Sequence, residues 1–238
     1  MTITEGTSIR EIASAFSGAT RVFDRLGIEW GCSVTHSLLE ACEKAGLAVD
    51  EALRQLRLAQ AGTPGPAGRD WDRSSATELV SHILDVHHAY LKEELPRLEK
   101  LMRRVYEKHG PEHPELLKVQ DVFFSLKDEL ELHVQKEEIM LFPYIVSLES
   151  PAATARHCPF GSVENPIRVM TAEHHAATEA LISLRAHTSD YTAPETACLG
   201  FKLLLQGLQE LEADLTRHIE LENEALFPKA LLLERGAA

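Results

Sequence analysis

The 238-residue chain has little that would carry it into a membrane, out of the cell or onto a nucleic acid. No stretch of about 18 consecutive apolar residues is present, so no membrane span is expected. The N-terminus lacks a basic segment followed by an apolar one, so we predict no secretory signal. Lys and Arg number 24 against 37 Asp and Glu, and the net charge of −13 disfavours nucleic acid and anionic membranes as partners.

Cysteine is scarce as well, with four residues and no C-x-x-C pair. A disulfide framework is not expected in a chain of this length, and the pattern fits a reducing compartment. We therefore predict a cytoplasmic location. The four cysteines are Cys32, Cys42, Cys158 and Cys198.

The apolar residues follow a helical period, and no segment shows the alternation of a strand. Four long amphipathic segments in the larger, later part of the chain predict an antiparallel four-helix bundle. Pro96 and Pro228 fall inside two of these segments and Pro143 at the end of a third, and all three predict bends. We place the four helices over residues 75–106, 115–142, 167–186 and 194–232.

Residues 1–60 contain shorter apolar repeats, which are typical of a small helical unit. Residues 61–69 are mostly Gly, Pro and Ala, which is the composition of a linker. We therefore predict an all-α protein with an N-terminal domain at 1–60, a linker at 61–72 and the bundle at 73–238.

One pattern, His-x3-Glu-x3-Leu-Phe-Pro, occurs twice, starting at His133 and at His218. Residues four apart lie on the same face of a helix, one turn from each other. Each copy therefore presents an imidazole and a carboxylate together, the carboxylates being Glu137 and Glu222. Two such helices facing each other would bring both pairs into one bundle core.

Two further helices carry histidines in pairs. His174 is in phase with Ile167 and Leu181 and is predicted to point inward, whereas His175 faces a more polar side. His87 and His88 both align with apolar positions, and periodicity does not separate them. The spacing indicates a duplicated helix pair, each giving two histidines and one glutamate.

Four neutral imidazoles and two carboxylates suit a pair of first-row transition metals, with the carboxylates bridging. A structural zinc site would need only four ligands and no duplication. The alternative for any single buried histidine is a structural, hydrogen-bonded role, but two motifs in register favour the metal. Glu129 and Asp214 lie one turn before His133 and His218 and could accept the second imidazole N–H.

The alternative for Glu129 and Asp214 is an ordinary surface acid. Glu173, beside His174, could likewise serve a proton or ion path or be a surface acid.

These motifs resemble the iron-sulfur cluster repair di-iron proteins, which join an N-terminal ScdA-type domain to a hemerythrin-like bundle. The resemblance covers nearly the whole chain and is carried by residues 78–96, 133–143, 167–174 and 218–228. It implies two iron ions per chain, bridged by oxo or carboxylate groups, and selects His88 over His87. The ligands that it implies are His88, His133, Glu137, His174, His218 and Glu222.

The N-terminal part departs from the family at one place. The family carries two adjacent cysteines followed by two glycines, whereas this chain reads Trp30-Gly31-Cys32-Ser33-Val34. A vicinal dithiol can be oxidised within one domain, and a lone thiol cannot. Cys32 is therefore either a reactive thiol or a small apolar residue, and the second interpretation is favoured.

The resemblance implies the repair of iron-sulfur clusters damaged by nitrosative or oxidative stress, with NO or O2 as small ligands and iron-sulfur proteins as clients. It also implies a possible enzymatic reduction of NO to N2O at the di-iron centre. One alternative is a hemerythrin-like module that binds or stores O2, NO or iron without turnover. Another is a structural bundle that has kept the motif only for stability. The oligomeric state and the electron donor are left open.

Overall fold

The computed structural model describes residues 2–16, 18–30, 34, 36–61, 71–149 and 160–236. Within these ranges the chain is helical, with no strand and a single isolated bridge between Ser8 and Ser37. The all-α prediction is confirmed. In the same ranges no helix is both long and apolar enough to cross a membrane.

The N-terminal part consists of four short helices that bury Ile9, Phe23, Leu38 and Leu56 among themselves. Two of them begin at a capping box, in which a serine side chain and a glutamate three residues later satisfy each other's backbone N–H groups. The four helices are α1 (Ile9–Ala15), α2 (Gly18–Leu26), α3 (Leu38–Ala45) and α4 (Val49–Ala61).

The bundle follows as four long helical rods, three of which contain a π-helical segment. The first is α5 (Ala76–His82), a π segment (Ile83–His88) and α6 (Ala89–His109). The second is α7 (Glu115–Lys136), a π segment (Glu137–Leu141) and α8 (Phe142–Leu148). The third is the uninterrupted α9 (Glu164–His187). The fourth is α10 (Leu199–Glu220), a π segment (Leu221–Leu226) and α11 (Phe227–Gly236).

The prolines fall in two kinds of place. Helix α6 continues through Pro96, whereas Pro143 and Pro228 each stand second in the α-helix that follows a π segment. Because proline lacks the N–H that an inner helical turn requires, the first turn of a new α-helix tolerates it best. Pro143 and Pro228 therefore mark where a π segment ends and α-helical geometry resumes.

Two apolar clusters fill the bundle, and a polar layer separates them. On every rod the chain passes from one cluster to the other across a buried histidine, which on the second and fourth rods is followed by the glutamate of the repeated motif. On the first rod Ile83 belongs to one cluster and Leu91 to the other; on the third rod Met170 and Ala177 do so. The polar residues between them are thus sealed from both ends by hydrocarbon.

The N-terminal helices pack on the bundle through an ionic network centred on the buried Glu94. The Arg21 guanidinium on α2 lies 3.0 Å from Glu94 on α6 and 2.8 Å from Glu210 on α10. Arg97 binds the same Glu94 carboxylate, with Nε 2.9 Å from Oε2, and donates to Thr20 on α2 at 3.3 Å. The predicted linker falls mostly outside the described residues, so the boundaries at 60 and 73 stay predictions.

Cysteine usage differs from the expectation at one residue. Cys198, just before α10, is disulfide-bonded, whereas Cys42 on α3 is a buried free thiol. Burial raises the pKa of the Cys42 thiol, which makes it a poor nucleophile. Cys32 and Cys158 lie outside the described residues, and the cytoplasmic location stays a prediction.

Candidate metal centre

Six side chains from all four rods meet in the polar layer and form two overlapping groups of donors. Within each group the donor atoms lie within 4.8 Å of one another. Glu137 and Glu222 belong to both groups, as bridging carboxylates would. None of the six side chains is more than 4% exposed. The groups are His88, Glu137, His218 and Glu222, and His133, Glu137, His174 and Glu222.

The π segments lie at the site on the rods that carry them. His88 ends the first segment, Glu137 begins the second and Glu222 lies in the third. A π turn holds one residue more than an α turn and rotates the helix beyond it, and such turns are frequent at functional sites. A search for a 3.6-residue period treats each rod as continuous, which is why the sequence did not reveal them.

All four imidazoles turn Nε2 toward the two shared carboxylates. On the Glu137 side, His88 Nε2 lies 3.3 Å and His133 Nε2 3.4 Å from Oε2. On the Glu222 side, His174 Nε2 lies 3.0 Å from Oε2 and His218 Nε2 3.0 Å from Oε1. Each carboxylate is therefore shared between the two histidines of its own half of the duplicated sequence.

The outward Nδ1 atoms have polar partners at three of the four histidines. His88 Nδ1 lies 2.9 Å from Glu138, and His133 Nδ1 lies 2.9 Å from Glu173. His174 Nδ1 lies 3.0 Å from the Asn223 side-chain oxygen. His218 Nδ1 is buried and has no hydrogen-bond partner among the described residues.

The predicted partners of the histidines are placed differently from expectation. Glu173, for which a proton or ion path or a surface role was expected, contacts the imidazole of His133. Glu129 accepts a hydrogen bond from Ser125 at 3.3 Å, because its side chain extends along α7 instead of toward His133. Asp214 lies 3.1 Å from His87 Nδ1 and not against His218, because His87 reaches it from the first rod.

Glu138 and Asn223 are the partners that sequence reasoning missed. Each directly follows a bridging glutamate, Glu137 or Glu222, inside a π segment. In a regular α-helix a neighbouring residue points about 100° away, so the motif alone did not indicate them. The equal position of the two, one residue after each glutamate, is the signal that could have found them.

Burial sets the protonation of two of these histidines. It lowers the pKa of His88 to about 4, with the nearby charge of His218 adding to the effect. Burial also lowers the pKa of His133. Both imidazoles are therefore neutral near pH 7 and keep the lone pair that a metal ligand needs.

The two shared glutamates lie together in a buried site, which opposes ionisation of both at once. Burial and then the charge of Glu222 raise the pKa of Glu137 well above its ordinary value. Burial opposes ionisation of Glu222 too, but His218 and His174 hold the pKa of that carboxyl below its usual range. Buried polar atoms without hydrogen-bond partners in the described chain also converge here: His88 Nε2, both oxygens of Glu137 and Oε2 of Glu222. Adjacent buried carboxylates and orphaned donors fit a pair of metal cations.

Burial distinguishes His174 from its neighbour His175, but it does not distinguish His88 from His87. His174 is buried and His175 exposed, as the periodicity predicts. His87 is buried like His88, but it belongs to neither group of donors. Its ring stacks on that of His218, with centroids 5.5 Å apart and planes 7° apart.

We expect His88→Ala to remove at least one metal ion per chain and His87→Ala to leave the metal content unchanged. Of these two histidines, only His88 directs a nitrogen at Glu137, whereas His87 faces Asp214. Metal analysis of both purified variants by mass spectrometry checks this. Metal loss from His87→Ala alone would show that the wrong histidine of the pair has been chosen.

A cavity of about 260 Å³ between α7, α9 and α10 reaches the same centre. Apolar side chains make up most of its wall, among them Leu126, Leu130 and Ala177. His133, His174 and His218 also line it, as do Glu129, Glu173 and Lys136. A small neutral molecule could therefore approach the imidazoles through hydrocarbon.

A helical bundle that holds two histidine and glutamate groups across shared carboxylates defines a cation-binding bundle of the hemerythrin type. In agreement, the hemerythrin HHE cation binding domain matches residues 79–230. The iron-sulfur cluster repair protein YtfE of Dickeya chrysanthemi (strain Ech1591) is 32% identical over 224 residues, covering 94% of this chain and 96% of that protein. The proteins of the same name from Yersinia pestis (strain Pestoides F) and Yersinia pseudotuberculosis serotype O:1b (strain IP 31758) are 33% identical over 226 residues, with the same coverage. The chain belongs to the hemerythrin-like family of iron-sulfur cluster repair proteins.

Proposed function

We propose that this protein holds two iron ions and repairs iron-sulfur clusters damaged by nitrosative or oxidative stress. The observation that carries the proposal is the sharing of Glu137 and Glu222 between two buried groups of donors. The names of the relatives, which describe cluster repair, support it. We assign the six ligands as His88, His133, Glu137, His174, His218 and Glu222.

The assigned ligands and the residues that contact them would have different roles. Glu137 and Glu222 would hold both ions close together and neutralise part of their charge. The four imidazoles would complete each ion's surroundings, while Glu138, Glu173 and Asn223 fix ring orientation. When bound, the iron pair supplies the redox chemistry and open positions for a small ligand. The apolar wall of the cavity beside His133 and His174 would admit NO or O2 and exclude charged solutes.

A second candidate function is binding of NO, O2 or iron without turnover. The observation that favours it is the absence of the family's adjacent cysteine pair, since position 31 is glycine. In that case the apolar cavity would serve reversible binding, and no electrons would have to reach the centre. Reduction of NO to N2O at the same centre would be a more specific activity within the first candidate function.

One series of measurements separates the candidates. The protein is purified without oxygen, its iron counted and its Mössbauer spectrum recorded. It is then mixed with an NO-inactivated iron-sulfur dehydratase, and NO consumption is followed with an electrode. We expect about two irons and recovery of dehydratase activity. Iron with NO binding but neither recovery nor consumption would support the binding module, and a protein without metal would contradict both.

A further inference from the structure

The two metal positions differ in how firmly their histidines are held. We propose that the position between His88 and His218 gives up its ion first and supplies the iron that the protein transfers. This inference rests on the proposed di-iron centre and assigns its two positions different roles. The position between His88 and His218 donates its ion, and the position between His133 and His174 retains its ion.

The difference lies in the outward nitrogens. At the retaining position both imidazoles have a partner, Glu173 for His133 at 2.9 Å and Asn223 for His174 at 3.0 Å. At the donating position only His88 has one, Glu138 at 2.9 Å, because His218 Nδ1 has none in the described chain. A held imidazole keeps its orientation and is a stronger base, and loss of such a partner typically weakens metal affinity by about 10–100-fold.

The carboxylate partners are matched between the two positions, so they do not produce the difference. Lys92 Nζ binds both carboxylate oxygens of Glu138, at 2.7 and 2.8 Å, and Lys136 Nζ binds Oε1 of Glu173. The asymmetry therefore lies in the second histidine of each position: Nδ1 of His174 contacts Asn223, whereas Nδ1 of His218 has no such contact in the described chain.

The surroundings of His218 explain the missing partner. Asp214 lies one turn before it on α10, but its Oδ1 is 3.1 Å from Nδ1 of His87. The His218 ring is instead held by stacking on His87 and by the edge of His88, with centroids 5.5 and 5.0 Å away. Stacking positions the ring without accepting its N–H, so the ligand gains no basicity.

Unequal positions suit a protein that delivers iron. The donating position can lose its ion while Glu137, Glu222, His133 and His174 still surround the other. The bundle then keeps a cation between its two buried carboxylates, which spares it the cost of two uncompensated charges. A reload of one ion restores the centre.

The experiment measures release directly. The full chain, loaded anaerobically with two Fe(II) ions, is mixed with excess ferrozine, and the coloured complex is followed over time. We expect two phases of equal amplitude with rates differing by about tenfold or more. A sample enriched in 57Fe and frozen after the first phase should have lost one of two equal Mössbauer components.

Variants assign the phases through the three positioning residues. Asn223→Ala and Glu173→Ala should each speed the slow phase by about tenfold or more and leave the fast phase unchanged. Glu138→Ala should speed the fast phase only. Asn223→Asp, which keeps an acceptor near His174, should restore the slow phase. The matched control is Glu224→Ala, a change at an exposed residue next to Asn223.

The outcomes are distinct. Release of both ions in one phase would overturn the inference while leaving the di-iron centre intact. Acceleration of the fast phase by Asn223→Ala or Glu173→Ala would overturn it too, because the donating position would then be the other one. A chain that never binds two ions would instead contradict the proposed function on which the inference rests.

Discussion

Replacing Glu222 by alanine should empty both metal positions, because this carboxylate belongs to both groups of donors. A histidine substitution removes a ligand from one ion, whereas this change removes a ligand from each. It also takes away the carboxylate that faces Glu137, so the ions lose a bridge and half of the anionic charge that neutralises them. Metal content should fall from about two ions per chain to well below one.

The matched control is Glu220→Ala, two residues earlier on α10. Glu220 is about half exposed and faces Arg217 at 3.3 Å, away from the centre. This variant should retain both ions, and circular dichroism should show that both variants keep their helices. Two ions in Glu222→Ala would contradict the assignment of Glu222 as a bridge, and one ion would show that it serves a single position.

The sequence predicted the centre better than the shape of the helices that build it. The duplicated spacing of His133 with Glu137 and His218 with Glu222 identified four of the six clustered residues, and helical phase identified His174. The histidine and glutamate of each motif lie four residues apart, and the π segments begin only at Glu137 and at Leu221, so the helix up to there keeps each pair on one side. The choice of His88 over His87 came only from the family resemblance, since both side chains are buried.

The hydrogen-bond partners of the histidines could not be predicted from the sequence. Which carboxylate meets which imidazole depends on how two rods are rotated against each other, and local spacing does not encode that. Asp214 is one turn from His218 yet faces His87, and Glu173 adjoins His174 yet faces His133. In both cases the carboxylate contacts a histidine on a different rod.

The packing of the N-terminal helices was missed for a similar reason. The composition of residues 61–69 indicates a linker, and from this the sequence suggested an independent unit. It gave no sign that Arg21 would reach Glu94 and Glu210, which are distant in the chain. The structure joins the N-terminal helices and one end of the bundle in a common apolar cluster.

Removing the central carboxylate of that network should destabilise the whole protein. We expect Glu94→Ala to lower the free energy of unfolding by about 3–5 kcal/mol, because it leaves a buried arginine without its counter-charge. Glu94 is fully buried and Arg97 is 8% exposed, so water cannot replace the lost partner. Urea unfolding followed by circular dichroism measures the change.

The control is the adjacent residue. Glu93 faces Arg25 at 3.4 Å, and both side chains are about half exposed. Glu93→Ala should cost less than about 1 kcal/mol, as exposed ion pairs do. Equal effects of the two substitutions would show that the Glu94 network contributes no more than a surface pair.

A chain shortened to begin at Trp71 separates stability from metal binding. It lacks Arg21 and Thr20, so Glu94 and Arg97 meet water and remain paired with each other, and no buried charge is left alone. We therefore expect this shortened protein to fold, to unfold at lower urea than the full chain, and to hold about two ions, since every assigned ligand lies beyond residue 73. If it cannot hold metal, the N-terminal helices are part of the centre's support and the predicted domain boundary does not mark an independent unit.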